Sequence, residues 1–156
     1  MQLTRNITTS EQERFRLENQ HKSGANWFYW ISGLSVINTL IVLFGARYSF
    51  LLGLGITQVV DGIVYALSSS LAPDMATVAK VVGFVVNLAI AGLFVVFGVL
   101  ARKRYKWAFI VGMVLYALDA IIFAVVGDWW SFGFHLFALY GLYAGLRAQR
   151  RLAGMK

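Results

Sequence analysis

Long apolar stretches run through this chain at 27–44, 48–71, 78–100, 107–126 and 129–146, and each carries a polar residue in its interior. Asn38 interrupts the first, Gln58 and Asp61 the second, Asn87 the third, Asp119 the fourth and His135 the fifth. The residues around them are mostly Leu, Ile, Val, Phe, Ala and Gly. Each stretch is close to the roughly 20 residues that an α-helix needs to cross the hydrocarbon core of a bilayer. Only a helix satisfies its own backbone within one segment, and no polar/apolar alternation suggests a barrel. The pattern predicts an all-α fold: a polytopic integral membrane helical bundle with five transmembrane segments. It divides the chain into a polar N-terminal tail (1–26), one transmembrane helical domain (27–147) and a basic C-terminal tail (148–156).

Composition agrees with this reading. The 156 residues are 59% hydrophobic and only 13% charged, against about 25% charged in an ordinary soluble domain. Too little polar surface is present to cover a globule in water, so bilayer is the natural solvent. The absence of cysteine excludes thiolate metal sites, iron–sulfur clusters and a thiol nucleophile within this sequence. The net charge of +7 does not point to nucleic acid, because the basic residues cluster at the ends of apolar stretches, where they fit anionic headgroups.

The ends and connections refine the picture. Residues 1–26 are polar and of mixed charge, unlike a cleavable signal peptide, and the final Gly-Met-Lys is not a lipidation signal. Ser10 and Glu13 form a capping-box pattern, which predicts a surface helix over 8–22 at headgroup level. Arg102, Lys103, Arg104 and Lys106 precede the fourth stretch, and Arg147, Arg150, Arg151 and Lys156 follow the fifth. The positive-inside rule places both groups on the cytoplasmic side, as for a multi-pass protein of the bacterial inner membrane. Five crossings would then leave Arg5, Arg14, Arg16 and Lys22 outside, against the same rule. An alternative removes the conflict. If 48–71, with Gly53, Gly55 and Gly62, dips into the membrane and returns, four crossings remain and the N-terminus lies inside. The 24 residues of that stretch favour a full crossing.

Counting about 1.5 Å per residue from the predicted outer ends puts Asn38, Asp61, Asn87, Asp119 and His135 roughly 9–16 Å deep, in one layer. A central Asp costs roughly 2.5–3.5 kcal/mol to insert, so it needs a partner, a wet cavity or a function. Asp61, with Gln58 one turn before it, is the strongest candidate for a proton or cation site. Asp119 and His135 lie at similar depth on consecutive helices, where a carboxylate and an imidazole can relay a proton or act as acid and base. No metal-binding spacing involves His135, and no metal is expected; the cofactor is left open. Asn38 and Asn87 read as interhelical hydrogen-bonders. Ser32, Ser35, Thr39 and Thr57 can bond their own helix backbone. Gly141 and Gly145 form a GxxxG motif for close helix packing. Trp27, Trp30, Trp107, Trp129 and Trp130 read as interfacial anchors.

These observations predict a non-enzymatic accessory or interaction role with a buried polar cluster. The alternative is a proton- or cation-coupled transporter or channel component, completed by a homo-oligomer or a larger membrane complex because five helices enclose little volume. A second alternative is an intramembrane enzyme using Asp61, Asp119 and His135. The partner common to all three is the lipid bilayer.

Overall fold

The computed structural model describes residues 2–44 and 53–155, with side chains from Ser10 onward. The described residues fold into α1 (Gln2–Leu43), α2 (Gly55–Ser68), α3 (Pro73–Arg102), α4 (Lys106–Val126) and α5 (Trp129–Gly154), with no strand among them. Three helices are long and apolar enough to cross a membrane: Ser10–Leu43 within α1, α3 and α4. Helix α5 has the length, with 26 residues, but its Trp, Tyr, Gly and His residues lower its mean hydropathy. Large apolar side chains such as Val81, Val85, Val125 and Leu136 point outward from the bundle, as expected where the solvent is lipid.

Helix contacts fix the directions. Phe28 packs on Phe97 and Thr39 meets Asn87, so α1 runs antiparallel to α3. Gly24 lies against Gly145 and Leu17 against Ala148 and Leu152, so α1 is antiparallel to α5 as well. Helix α4 pairs antiparallel with both neighbours, through Phe97–Trp107 and Phe94–Tyr116 on α3 and Asp119–His135 on α5. The core between them is aromatic: Phe28, Phe94, Phe97, Phe109 and Tyr116 are all buried.

Two features differ from the sequence expectation. First, no break separates the polar residues 2–26 from the apolar run, because α1 is one helix of 42 residues. Its polar half is held by burial of Leu17 and His21 against the rest of the bundle, while Phe15 stays exposed. The N-terminal half of α1 therefore lies at the same end as the α3–α4 turn and the end of α5. Arg104 in that turn takes a left-handed conformation (φ 67°). Its carbonyl accepts from the Gln149 side chain, and its guanidinium lies 3.4 Å from Glu18.

Second, the stretch predicted as a 24-residue helix contains one of only 14 residues. At about 1.5 Å per residue it spans about 21 Å, less than the roughly 30 Å hydrocarbon core. The part of the predicted segment at 48–52 lies outside the described residues. Helix α2 starts deep. The Leu54 amide donates to Ser35 Oγ (2.8 Å), two turns before the end of α1. It then runs antiparallel to α3, with Thr57 and Asp61 meeting Asn87 and Val64 meeting Gly83, and so parallel to α1. Gly53 and Gly55 permit this tuck: a Cβ on the first would press on the Ser35 backbone at 3.2 Å, and on the second would strike Phe123 at 2.8 Å.

Candidate functional site

Four of the polar residues of these stretches fall into two separate clusters at the first turns of α2: Asp119 with His135, and Asp61 with Asn87. In the first, Asp119 and His135 meet. Helix α4 carries Asp119 on its inner face and α5 carries His135 opposite, both buried. His135 Nε2 lies 3.0 Å from Asp119 Oδ2. His135 Nδ1 lies 2.7 Å from the Ser131 carbonyl oxygen; a carbonyl only accepts, so Nδ1 carries a hydrogen. The Asp119 carboxyl also accepts the two leading amides of α2, from Gly55 N to Oδ2 (2.7 Å) and from Ile56 N to Oδ1 (2.8 Å). These are among the unpaired N–H groups that any helix start leaves, at the end where the helix dipole favours negative charge. Asp119 therefore caps α2 from another helix.

The imidazole is enclosed. The Tyr116 ring stacks on the imidazole (centroids 4.4 Å, 17° between planes), and Phe123 covers it at 4.8 Å. Ser131 links the pair to the α4–α5 turn: its amide and hydroxyl donate to the Asp128 carboxylate (3.1 and 2.6 Å). That capping hydrogen bond from the Ser131 hydroxyl, with help from the amide, holds the Asp128 pKa below the usual carboxylate range. A groove of about 280 Å³ on the outer face of α3 and α4, lined by Leu54, Ile56, Phe94, Leu115 and Leu118 among others, includes Asp119 but neither His135 nor Asp61.

The second cluster joins α1, α2 and α3. Asn87 Nδ2 faces three acceptors: Asp61 Oδ1 (2.7 Å), Thr39 Oγ1 (3.2 Å) and the Thr57 carbonyl (3.3 Å). An amide nitrogen has two hydrogens, so these contacts compete. Asp61 Oδ2 and Asn87 Oδ1 are buried without a hydrogen-bond partner among the described residues, as are Gln58 Nε2 and both amide atoms of Asn38. Asn38 is fully buried and Asn87 nearly so.

The three residues proposed for acid–base chemistry thus divide: Asp119 and His135 belong to one network and Asp61 to the other. The described residues contain no group of three His, Asp or Glu side chains able to hold a metal ion. Ser35 and Thr57 do bond their own helix, at the Ile31 and Leu54 carbonyls, but Ser35 also receives the Leu54 amide. Gly141 and Gly145 pack within the chain, on Trp27 and Gly24 of α1. Trp107, Trp129 and Trp130 sit exposed at helix ends, whereas Trp27 lies against Gly141, midway along α5, with its ring on Phe134 and Phe137, and so lies at mid-depth of the bundle with Trp30 one turn further on.

Residues missed from sequence are the Gly55 and Ile56 amides, the Ser131 carbonyl, Tyr116, Phe123 and His21. The first three are backbone groups and leave no mark in a residue pattern. His21 sits in a polar stretch yet is buried against Phe109 (ring centroids 5.7 Å); its i+4 spacing from the equally buried Leu17 was the available signal. Comparison with protein-family models, curated proteins and solved structures finds no match to this chain.

Proposed function

We propose that this chain is a multi-pass membrane protein of non-enzymatic, accessory or interaction role, in which α1, α3, α4 and α5 cross the bilayer and α2 is a half-helix that enters and leaves by one face. The observation that carries the reading is the Asp119–His135 pair. Each of its polar atoms is engaged internally, two on α2 amides and one on the Ser131 carbonyl, and aromatic rings cover the imidazole. A general acid or base needs reach to a substrate; this pair instead holds a helix start at depth, where unpaired amides are costly. The orientation follows from charge. Arg14, Arg16, Lys22, Lys103, Arg104, Arg147 and Arg151 share one end of the bundle, which the positive-inside rule makes cytoplasmic, as in a bacterial inner membrane.

Labelling tests the topology cleanly because the chain has no cysteine of its own. Single cysteines at Gln12, Lys103 and Gly154 are expected to react with a membrane-impermeant maleimide from one side, and cysteines at Ser70, Asp74 and Asp128 from the other. Gln12 reacting on the side of Asp128 would restore five crossings and sink the half-helix.

A second reading, a proton- or cation-linked transporter or channel component, is favoured by the unpartnered oxygens of the other cluster. Asp61 Oδ2 and Asn87 Oδ1 are hard oxygen donors of the kind that bind a proton or a small cation. In proteoliposomes the accessory reading expects no proton or sodium flux above empty vesicles. The transport reading expects a flux that Asp61→Asn abolishes while Asp119→Asn, if folded, leaves a residue of it.

A further inference from the structure

We propose that the seam between α1 and α5 is a binding site for one anionic phospholipid, with the phosphate at a basic cleft and an acyl chain along an aromatic groove above it. Arg16 and Gln20 of α1 and Arg147 and Arg151 of α5 line a cleft of about 350 Å³. No carboxylate lines it, and the ion pairs of the described residues use Arg14 and Arg104 but none of these three arginines. The cleft lies at the level of the α3–α4 turn, since the neighbouring Gln149 reaches Arg104. In the membrane reading that is headgroup depth.

Further along the same seam is a second groove of about 400 Å³, lined by Ser23, Asn26, Trp27, Trp30, Leu34 and Phe134. Arg16, Gln20, Ser23, Trp27, Trp30 and Leu34 follow one another at alternating spacings of four and three, which places them on one stripe of a helix. The two grooves are thus stretches of one furrow, basic at the bundle's end and apolar toward its middle. Trp27 lies about 16 Å from Arg16 along α1, within one leaflet. Arginine pairs with phosphate oxygens through two parallel N–H donors, and each basic side chain near the surface adds attraction for anionic lipid. A free phosphate would use the cleft and leave the aromatic groove empty; a zwitterionic lipid would use the groove and gain little at the arginines. An anionic phospholipid matches both ends.

The site rests on the membrane reading, and its test is separate from the topology test. Native mass spectrometry of the full chain, released from detergent in the presence of equal phosphatidylglycerol and phosphatidylcholine, is expected to retain one phosphatidylglycerol with a preference of about tenfold or more. R16Q/R147Q/R151Q removes that preference. K103Q/K106Q/R150Q, with the same loss of charge at the same end, keeps it, and W30A/L34A weakens retention while leaving helicity unchanged. All of these side chains but Leu34 are exposed, so the substitutions leave the buried core untouched. Equal retention of the two lipids, equal loss in both arginine and lysine variants, or displacement of the lipid by glycerol phosphate would overturn the proposal. If that happens in a protein whose Gln12 and Gly154 label from one side, the lipid site fails and the topology stands.

Discussion

Asp119→Ala is expected to lower stability by about 3–5 kcal/mol, the usual cost of removing one partner from a buried pair. The loss has two sources. His135 would keep its hydrogen bond to Ser131 but lose its partner at Nε2. The Gly55 and Ile56 amides would lose their acceptors, and in a lipid-surrounded core no water replaces them. Asp119→Asn is expected to cost less, about 1–3 kcal/mol, because a carboxamide has one accepting oxygen and can serve one amide of the two. Unfolding in detergent micelles, followed by helical circular dichroism, measures both. A cycle with His135→Leu separates the two sources: the Asp–His contribution disappears in the double variant and the α2 contribution remains. An Asp119→Ala protein with unchanged unfolding would show that Asp119 does not hold α2.

Gly24→Ala and Gly145→Ala form the second large expected effect. A Cβ on Gly145 would lie 2.7 Å from the Gly24 Cα, and a Cβ on Gly24 would clash with the Gly145 backbone. The obstruction is main chain on both sides, so no side chain can rotate away and the helices must separate. Each substitution is expected to cost about 1–3 kcal/mol, and valine more. The double variant should cost less than the sum, since one methyl already parts the helices enough for the second. Gly133→Ala is the control. It has open space around it, and a methyl there should be neutral or mildly stabilising through helix propensity. If all three substitutions behave alike, α1 and α5 are not in contact at this seam.

Helix positions were largely legible in the sequence. The apolar runs at 78–100 and 107–126 became α3 and α4 with their ends displaced by a few residues. The run at 129–146 lengthened into α5 because Ala148, Gln149 and Leu152 are buried, against α1 and the α3–α4 turn. That burial depends on α1 continuing through its polar half, which a hydropathy pattern read from residue 27 onward could not anticipate. Helix α2 was the opaque element. Gly53 and Gly55 make the stretch irregular, but nothing local marks the residue at which the helix begins. What marks it is a carboxylate 64 positions further along the chain. The candidate site was half legible for the same reason. Residue types and depth identified Asp61, Asn87, Asp119 and His135, but rotation about each helix axis decided which of them meet. With α1 antiparallel to α5, the N-terminal half, of mixed charge, lies at the same end of the bundle as the basic end of α5.

The cap on α2 also sets an order of events during synthesis. Gly55 and Ile56 leave the ribosome long before Asp119 and His135, which come 64 and about 80 positions later. At roughly 5–20 residues per second, about 4–16 s pass before the pair exists. Throughout that interval the first turn of α2 has no acceptor for its leading amides, and the bilayer interior offers none. In the half-helix reading proposed above, α2 reaches its anchored position only once the last hairpin closes and supplies Asp119.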